Sequence, residues 1–71
     1  MDMRRLVGEN VRRLRSFRGM TQERLAEVSG FSQQYISDLE RGRRNPTVVS
    51  LFNLAQALGA SPAELVTQGF G

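Results

Sequence analysis

The chain has 71 residues, a formal net charge of +3, and neither cysteine nor histidine. That length supports one small domain with a modest core. The missing residue types exclude disulfides, thiolate nucleophiles and the usual zinc ligands, so neither a metal nor another cofactor is predicted.

A first helix is predicted from about residue 3 to residue 18, with Val7, Val11 and Leu14 at helical spacing and Leu6, Asn10 and Phe17 flanking that stripe. Met1-Asp2-Met3-Arg4-Arg5 is basic, but Glu9, Asn10, Arg12 and Arg13 interrupt the apolar region that a signal peptide needs. No apolar run approaches a membrane span, and a soluble, cytoplasmic protein is expected. Gly8 inside the helix costs about 1 kcal/mol relative to alanine, which a close helix contact would explain. Gly19 ends the helix and Met20 packs the corner.

Thr21 is a good N-cap for a second helix over 22–29, with Leu25 and Val28 inward and the small Ala26 where another helix would cross. Gly30 follows the last periodic residue, where a left-handed conformation suits glycine, and Phe31 carries the apolar set through the turn. Ser32 caps a third helix over 33–41 whose inward face holds Ile36 and Leu39. The opposite face holds Gln33, Gln34, Ser37, Asp38 and Arg41. Two helices joined in this way read as a helix-turn-helix with a legible recognition helix.

Gly42 stops the third helix, and Pro46 keeps Asn45 out of the helical region. Thr47 caps a fourth helix over 48–58, with Val48, Leu51, Leu54, Ala55 and Leu58 inward and Gly59 closing it. Ser61-Pro62-Ala63-Glu64 is a capping box with proline at the first helical position. It opens a fifth helix over 62–68, docked by Leu65 and Val66. No strand pattern or repeat interrupts this all-α reading.

The ten basic residues are all arginine, grouped mainly at 4–5, 12–18 and 41–44. Guanidinium forks suited to phosphate and a bias toward arginine codons account for this equally well. Arg15 lies four after Val11 and Glu40 four after Ile36, so both point partly inward. An unpaired buried charge is expensive, so each needs a partner or must snorkel to solvent.

The stretch resembles the helix-turn-helix domain of the phage-repressor and Cro-like (XRE-type) regulators. The resemblance is carried by Gln22, Leu25, Ala26, Gly30, Gln33, Ile36, Ser37, Leu39, Glu40, Arg41, Gly42 and Pro46. It extends upstream through Val11-Arg12-Arg13-Leu14-Arg15 and downstream through Leu51, Leu54-Ala55 and Leu58-Gly59, covering nearly the whole chain. It implies a compact, five-helix, lambda-repressor-like DNA-binding domain. It also implies an ion pair between Arg15 and Glu40, tying the first helix to the end of the recognition helix.

Within that resemblance Gln33 and Gln34 stand in the first turn of the recognition helix, the part that reaches deepest into the major groove. A glutamine amide can contact adenine bidentately there. Ser37 and Asp38 are further base-contact candidates, Asp38 by accepting from cytosine N4 or by excluding wrong bases. Gln22, Ser32, Tyr35, Arg41, Arg43, Arg44 and Asn45 are candidate phosphate contacts, which position the protein without selecting sequence. Arg12 and Arg13 are as readily a solvated helix face.

Val49, Phe52, Val66 and Phe70 form a candidate dimer interface, although Phe52 and Val66 would equally complete a small core. The expected function is a DNA-binding transcriptional regulator, a homodimer on inverted-repeat double-stranded DNA. The alternative is a protein-interaction module that keeps the fold with DNA binding secondary or lost. No enzyme is expected, because no constellation of carboxylates or serine converges on a pocket.

Overall fold

The computed structural model describes residues 2–68, and the Phe70 expected at an interface lies outside them. Five helices follow in order: α1 (Met3–Phe17), α2 (Gln22–Ser29), α3 (Gln33–Glu40), α4 (Val48–Leu58) and α5 (Pro62–Val66). Four starts are set by side chains at the N-cap that accept a free N–H of the first turn. Asp2 accepts from Arg4 N at 3.1 Å, Thr21 from Arg24 N, Ser32 from Tyr35 N and Thr47 from Ser50 N at 3.0 Å each. At α5 the Ser61 N–H donates to the Glu64 carboxylate at 2.6 Å, with Pro62 behind it.

The turn between α2 and α3 depends on Gly30. Its φ of +83° is a left-handed conformation that a side chain would strain, and its N–H closes on the Ala26 carbonyl at 3.0 Å.

Helix α1 is the spine, packing against α3, α5 and α4, while α2 packs against α3 and α4. Val7 and Val11 of α1 meet Leu25, Ala26, Ile36, Leu39, Leu54, Ala55, Leu58 and Leu65 in one buried core. Leu14, Met20, Phe31, Tyr35 and Leu51 pack around it. The crossing of α1 on α3 is close enough to exclude a side chain at Gly8. A Cβ there would lie under 3.0 Å from the Leu39 carbonyl oxygen and 3.1 Å from the Glu40 carbonyl carbon.

Several sequence-based expectations are corrected. Val28, expected inward, is exposed, and Val48 is 82% exposed. Helical spacing assigns a residue to a face, but it does not say how far along the helix a neighbour extends. Val66, expected to dock α5, is also exposed; Leu65 alone fills that role. Helices α1 and α3 end one residue early, at C-caps Arg18 and Arg41. Helix α5 stops at Val66 because Thr67 turns extended.

Asn10 holds that turn. Its side chain is buried, and Nδ2 donates to the carbonyls of Leu65 at 3.0 Å and Thr67 at 3.2 Å. Arg18 does the same for α4. Nε and Nη2 donate to the carbonyls of Leu58 and Gly59, each at 2.9 Å, covering acceptors that the helix end leaves open and placing a cation at its negative pole.

Candidate nucleic-acid interface

The recognition helix is amphipathic in the way a groove-reading helix must be. Ile36 and Leu39 are buried, while Gln33 and Gln34 are exposed and Ser37 is half-buried on the outer side. Its position on the body is fixed at the far end by Glu40. Arg15 Nε donates to Glu40 Oε2 at 2.7 Å and Arg15 Nη2 to Oε1 at 3.1 Å, a two-point fork. The two side chains are 14% and 4% exposed. Arg15 Nη1 also donates to the Met20 carbonyl at 2.8 Å, anchoring the guanidinium to the corner after α1.

A third donor completes the carboxylate. Gln22 Nε2 donates to Glu40 Oε1 at 3.0 Å, so α1, the N-terminus of α2 and the C-terminus of α3 meet at one buried anion. Gln22, a phosphate candidate in the sequence, therefore has one amide N–H committed to this junction. Beside it a shallow polar groove is lined by Arg12, Arg15, Gln22, Ser37, Glu40 and Arg41. Arg12 thus stands next to Arg41 and the outer side of α3, which its place in a long polar stretch of α1 did not reveal.

The outer side of α3 carries its own network. Gln34 Nε2 donates to Asp38 Oδ1 at 3.0 Å, and Arg44 Nε lies 3.6 Å from Asp38 Oδ2. Arg44 returns to this side because the chain reverses after α3: Arg41 N and Arg43 N both donate to the Asp38 carbonyl, at 3.1 and 2.9 Å. The Arg44 guanidinium sits over the Tyr35 ring at 5.2 Å. Tyr35 stacks on Phe31 with centroids 4.6 Å apart, so it covers the edge of the core whatever else it does. Arg41, Arg43 and Asn45 are exposed around this network, and Ser32 is exposed at the cap.

The balance of charge around α3 is positive. Its two acids, Asp38 and Glu40, face arginines, leaving Arg12, Arg41 and Arg43 as exposed cations. Val48, Val49 and Phe52 are exposed along the first turns of α4, and Val66 is exposed on α5. Phe52 is 49% exposed, so it does not complete the core within one copy.

A buried-faced helix presenting amides and a hydroxyl outward, set behind a tight turn and flanked by arginines, defines a helix-turn-helix DNA-binding module. The helix-turn-helix family HTH_3 matches residues 11–65, and the chain belongs to that family of transcriptional regulators. It is 67% identical over 67 residues to the uncharacterised HTH-type transcriptional regulator y4dJ of Sinorhizobium fredii, covering 94% of this chain and 87% of the relative.

Among solved structures it resembles the restriction-modification controller protein C.AhdI from Aeromonas hydrophila. That match has a TM-score of 0.84 and 40% identity, over 87% of this chain and 94% of the controller. It also resembles the controller C.Esp1396I, seen as a tetramer in complex with its natural 35 base-pair operator. Here the TM-score is 0.83 and the identity 34%, over 92% of this chain and 86% of that one. Among the described residues no helix is long and apolar enough to cross a membrane.

Proposed function

We propose that this protein binds double-stranded DNA as a homodimer on an inverted repeat, with α3 in the major groove reading bases through Gln33, Gln34 and Ser37. Arg41, Arg43, Arg44 and Asn45 flank the groove as phosphate contacts, Arg12 extends that line along α1, and Ser32, Tyr35 and the start of α2 at Gln22 complete it. The observation that carries the reading is the division of labour on α3: one face buried, the other polar and outward, and the helix end fixed by Glu40. The operator complex of C.Esp1396I supports it. The role is regulatory and non-enzymatic, and it places the protein in the cytoplasm with its DNA.

Base and phosphate contacts fail differently, and that difference is the test. Gln33→Ala or Gln34→Ala should cost about 1–3 kcal/mol on a duplex obtained by in vitro selection and much less on a scrambled one. Arg43→Ala should weaken both nearly equally and reduce the salt slope by about one. Titrations at several salt concentrations separate the two. Equal loss on both duplexes for each glutamine variant would mean that sequence is read elsewhere.

Geometry supports the dimer. Two recognition helices in successive major grooves stand about 34 Å apart, whereas one copy measures 29 Å along its longest axis. The exposed Val49 and Phe52 of α4, with Val66 of α5, supply the apolar surface for a second copy. In sedimentation at micromolar concentration, Phe52→Arg should shift the protein toward monomer and weaken binding to the full repeat far more than to a half-site. A wild-type chain that stays monomeric on its selected duplex would remove the dimer from this proposal.

A further inference from the structure

Asp38 is an anion on the face that would meet a polyanion, and its surroundings differ from those of a free reading side chain. It is only 20% exposed, accepts from the Gln34 amide at 3.0 Å, and faces Arg44 at 3.6 Å. Arg44 rests on Tyr35, and Tyr35 on Phe31, which packs against the core. A continuous line of contacts therefore runs from the core edge to the one outward amide that Asp38 holds.

We propose that Asp38 is a positioning residue for sequence selection: it sets the orientation of the Gln34 amide and holds Arg44 beside the recognition helix. It acts through these two neighbours and not by touching a base. The proposal rests on the reading of α3 given above. Its physical basis is the near symmetry of the amide. The oxygen and nitrogen ends have almost the same shape but opposite hydrogen-bonding sense.

A free glutamine presents either order of donor and acceptor to the groove, and adenine accepts only one. A carboxylate has no proton to give, so Asp38 takes an N–H and never the amide oxygen. The oxygen and the second N–H then face outward in a fixed order, set before DNA arrives, which removes part of the ordering cost of binding. Arg44 offsets the negative charge that would otherwise repel phosphate.

The test compares wild type, Gln34→Ala, Asp38→Ala, the double variant and Asp38→Asn. Each is titrated against the selected duplex, a scrambled duplex and duplexes altered one base pair at a time. Asp38→Ala should reduce the preference for the selected base at the Gln34-dependent position by about fivefold or more, the scale of one good base contact. It should cause no further loss of preference in the Gln34→Ala background. Asp38→Asn places a second amide there, which can turn either its oxygen or its N–H toward Gln34. It should therefore lose the preference nearly as Asp38→Ala does, and a retained preference would overturn the proposal. Asp38→Asn also removes the charge, so it should bind the scrambled duplex more tightly, with a salt slope steeper by about one.

A helix-surface pair with no part in reading predicts a slightly lower melting temperature and unchanged base preference for Asp38→Ala; that result overturns the proposal. Loss at a different base pair, additive with Gln34→Ala, also overturns it, because Asp38 then reads a base itself. If Gln34→Ala leaves every preference intact, the reading of that amide fails and the proposal falls with it. If Gln34→Ala alone loses preference, the reading stands and only the role of Asp38 is lost.

Discussion

Arg15→Ala is expected to lower the unfolding free energy by about 3 kcal/mol, the cost of leaving a buried charge without its partner. Glu40 is 4% exposed, and two of its three side-chain hydrogen bonds come from Arg15. The Gln22 amide that remains carries no charge to balance the carboxylate. The Met20 carbonyl loses a donor in the same step. Domains of this kind have total stabilities of about 5–15 kcal/mol, so the loss is a large share of what holds the fold.

The attraction itself is not the main contribution. Desolvating two charges offsets most of it, so Arg15→Met combined with Glu40→Leu should recover much of the loss. Urea denaturation of the three proteins decides the matter. An Arg15→Ala midpoint equal to that of wild type would show that both side chains are solvated. The recovered double variant should still read DNA less well, since it lacks the charged junction that orients the end of α3.

What was legible in the sequence was local. Thr21, Ser32 and Thr47 announce helix starts because a cap and the N–H it satisfies are three residues apart, and Gly30 marks a turn that only its backbone allows easily. The core stripe followed from periodicity, since Val7, Val11, Leu25, Ile36, Leu39, Leu54 and Leu58 are all buried. The inward offsets of Arg15 and Glu40 were visible, but the third member of their junction was not. A hydrogen bond from Gln22, 18 residues away, leaves no periodic trace.

Asn10 and Arg18 escaped for the same reason, reaching carbonyls 55 and 40 residues distant. A signal existed at Asn10, three residues after Val7 within an apolar stripe, where a polar side chain needs a buried partner. On the outer side of α3, the four-residue spacing of Gln34 and Asp38 was readable as a pair. The return of Arg44 to the same side depends on how the chain reverses after Glu40, which spacing does not encode.

Gly8→Ala sets two effects of opposite sign against each other, and the structure decides between them. On helix propensity alone the substitution stabilises α1 by about 1 kcal/mol. Against this, the new methyl group would fall under 3.0 Å from the Leu39 carbonyl oxygen and 3.1 Å from the Glu40 carbonyl carbon and oxygen. These are backbone atoms with no rotamer to give, so α3 must move away from α1 as a unit. Overpacking of this kind costs about 1–3 kcal/mol, occasionally more.

Moving α3 also stretches the fork between Arg15 and Glu40, which is made at the same crossing. The expected net result is destabilisation of about 2 kcal/mol, with packing strain and a weakened ion pair together outweighing propensity. Because the displaced element is the recognition helix, affinity for the selected duplex should fall more than affinity for scrambled DNA, measured where the variant is fully folded. Urea denaturation gives the sign directly. A Gly8→Ala protein more stable than wild type would mean that α1 and α3 do not cross at this separation, and the glycine would then be an ordinary interior defect in α1.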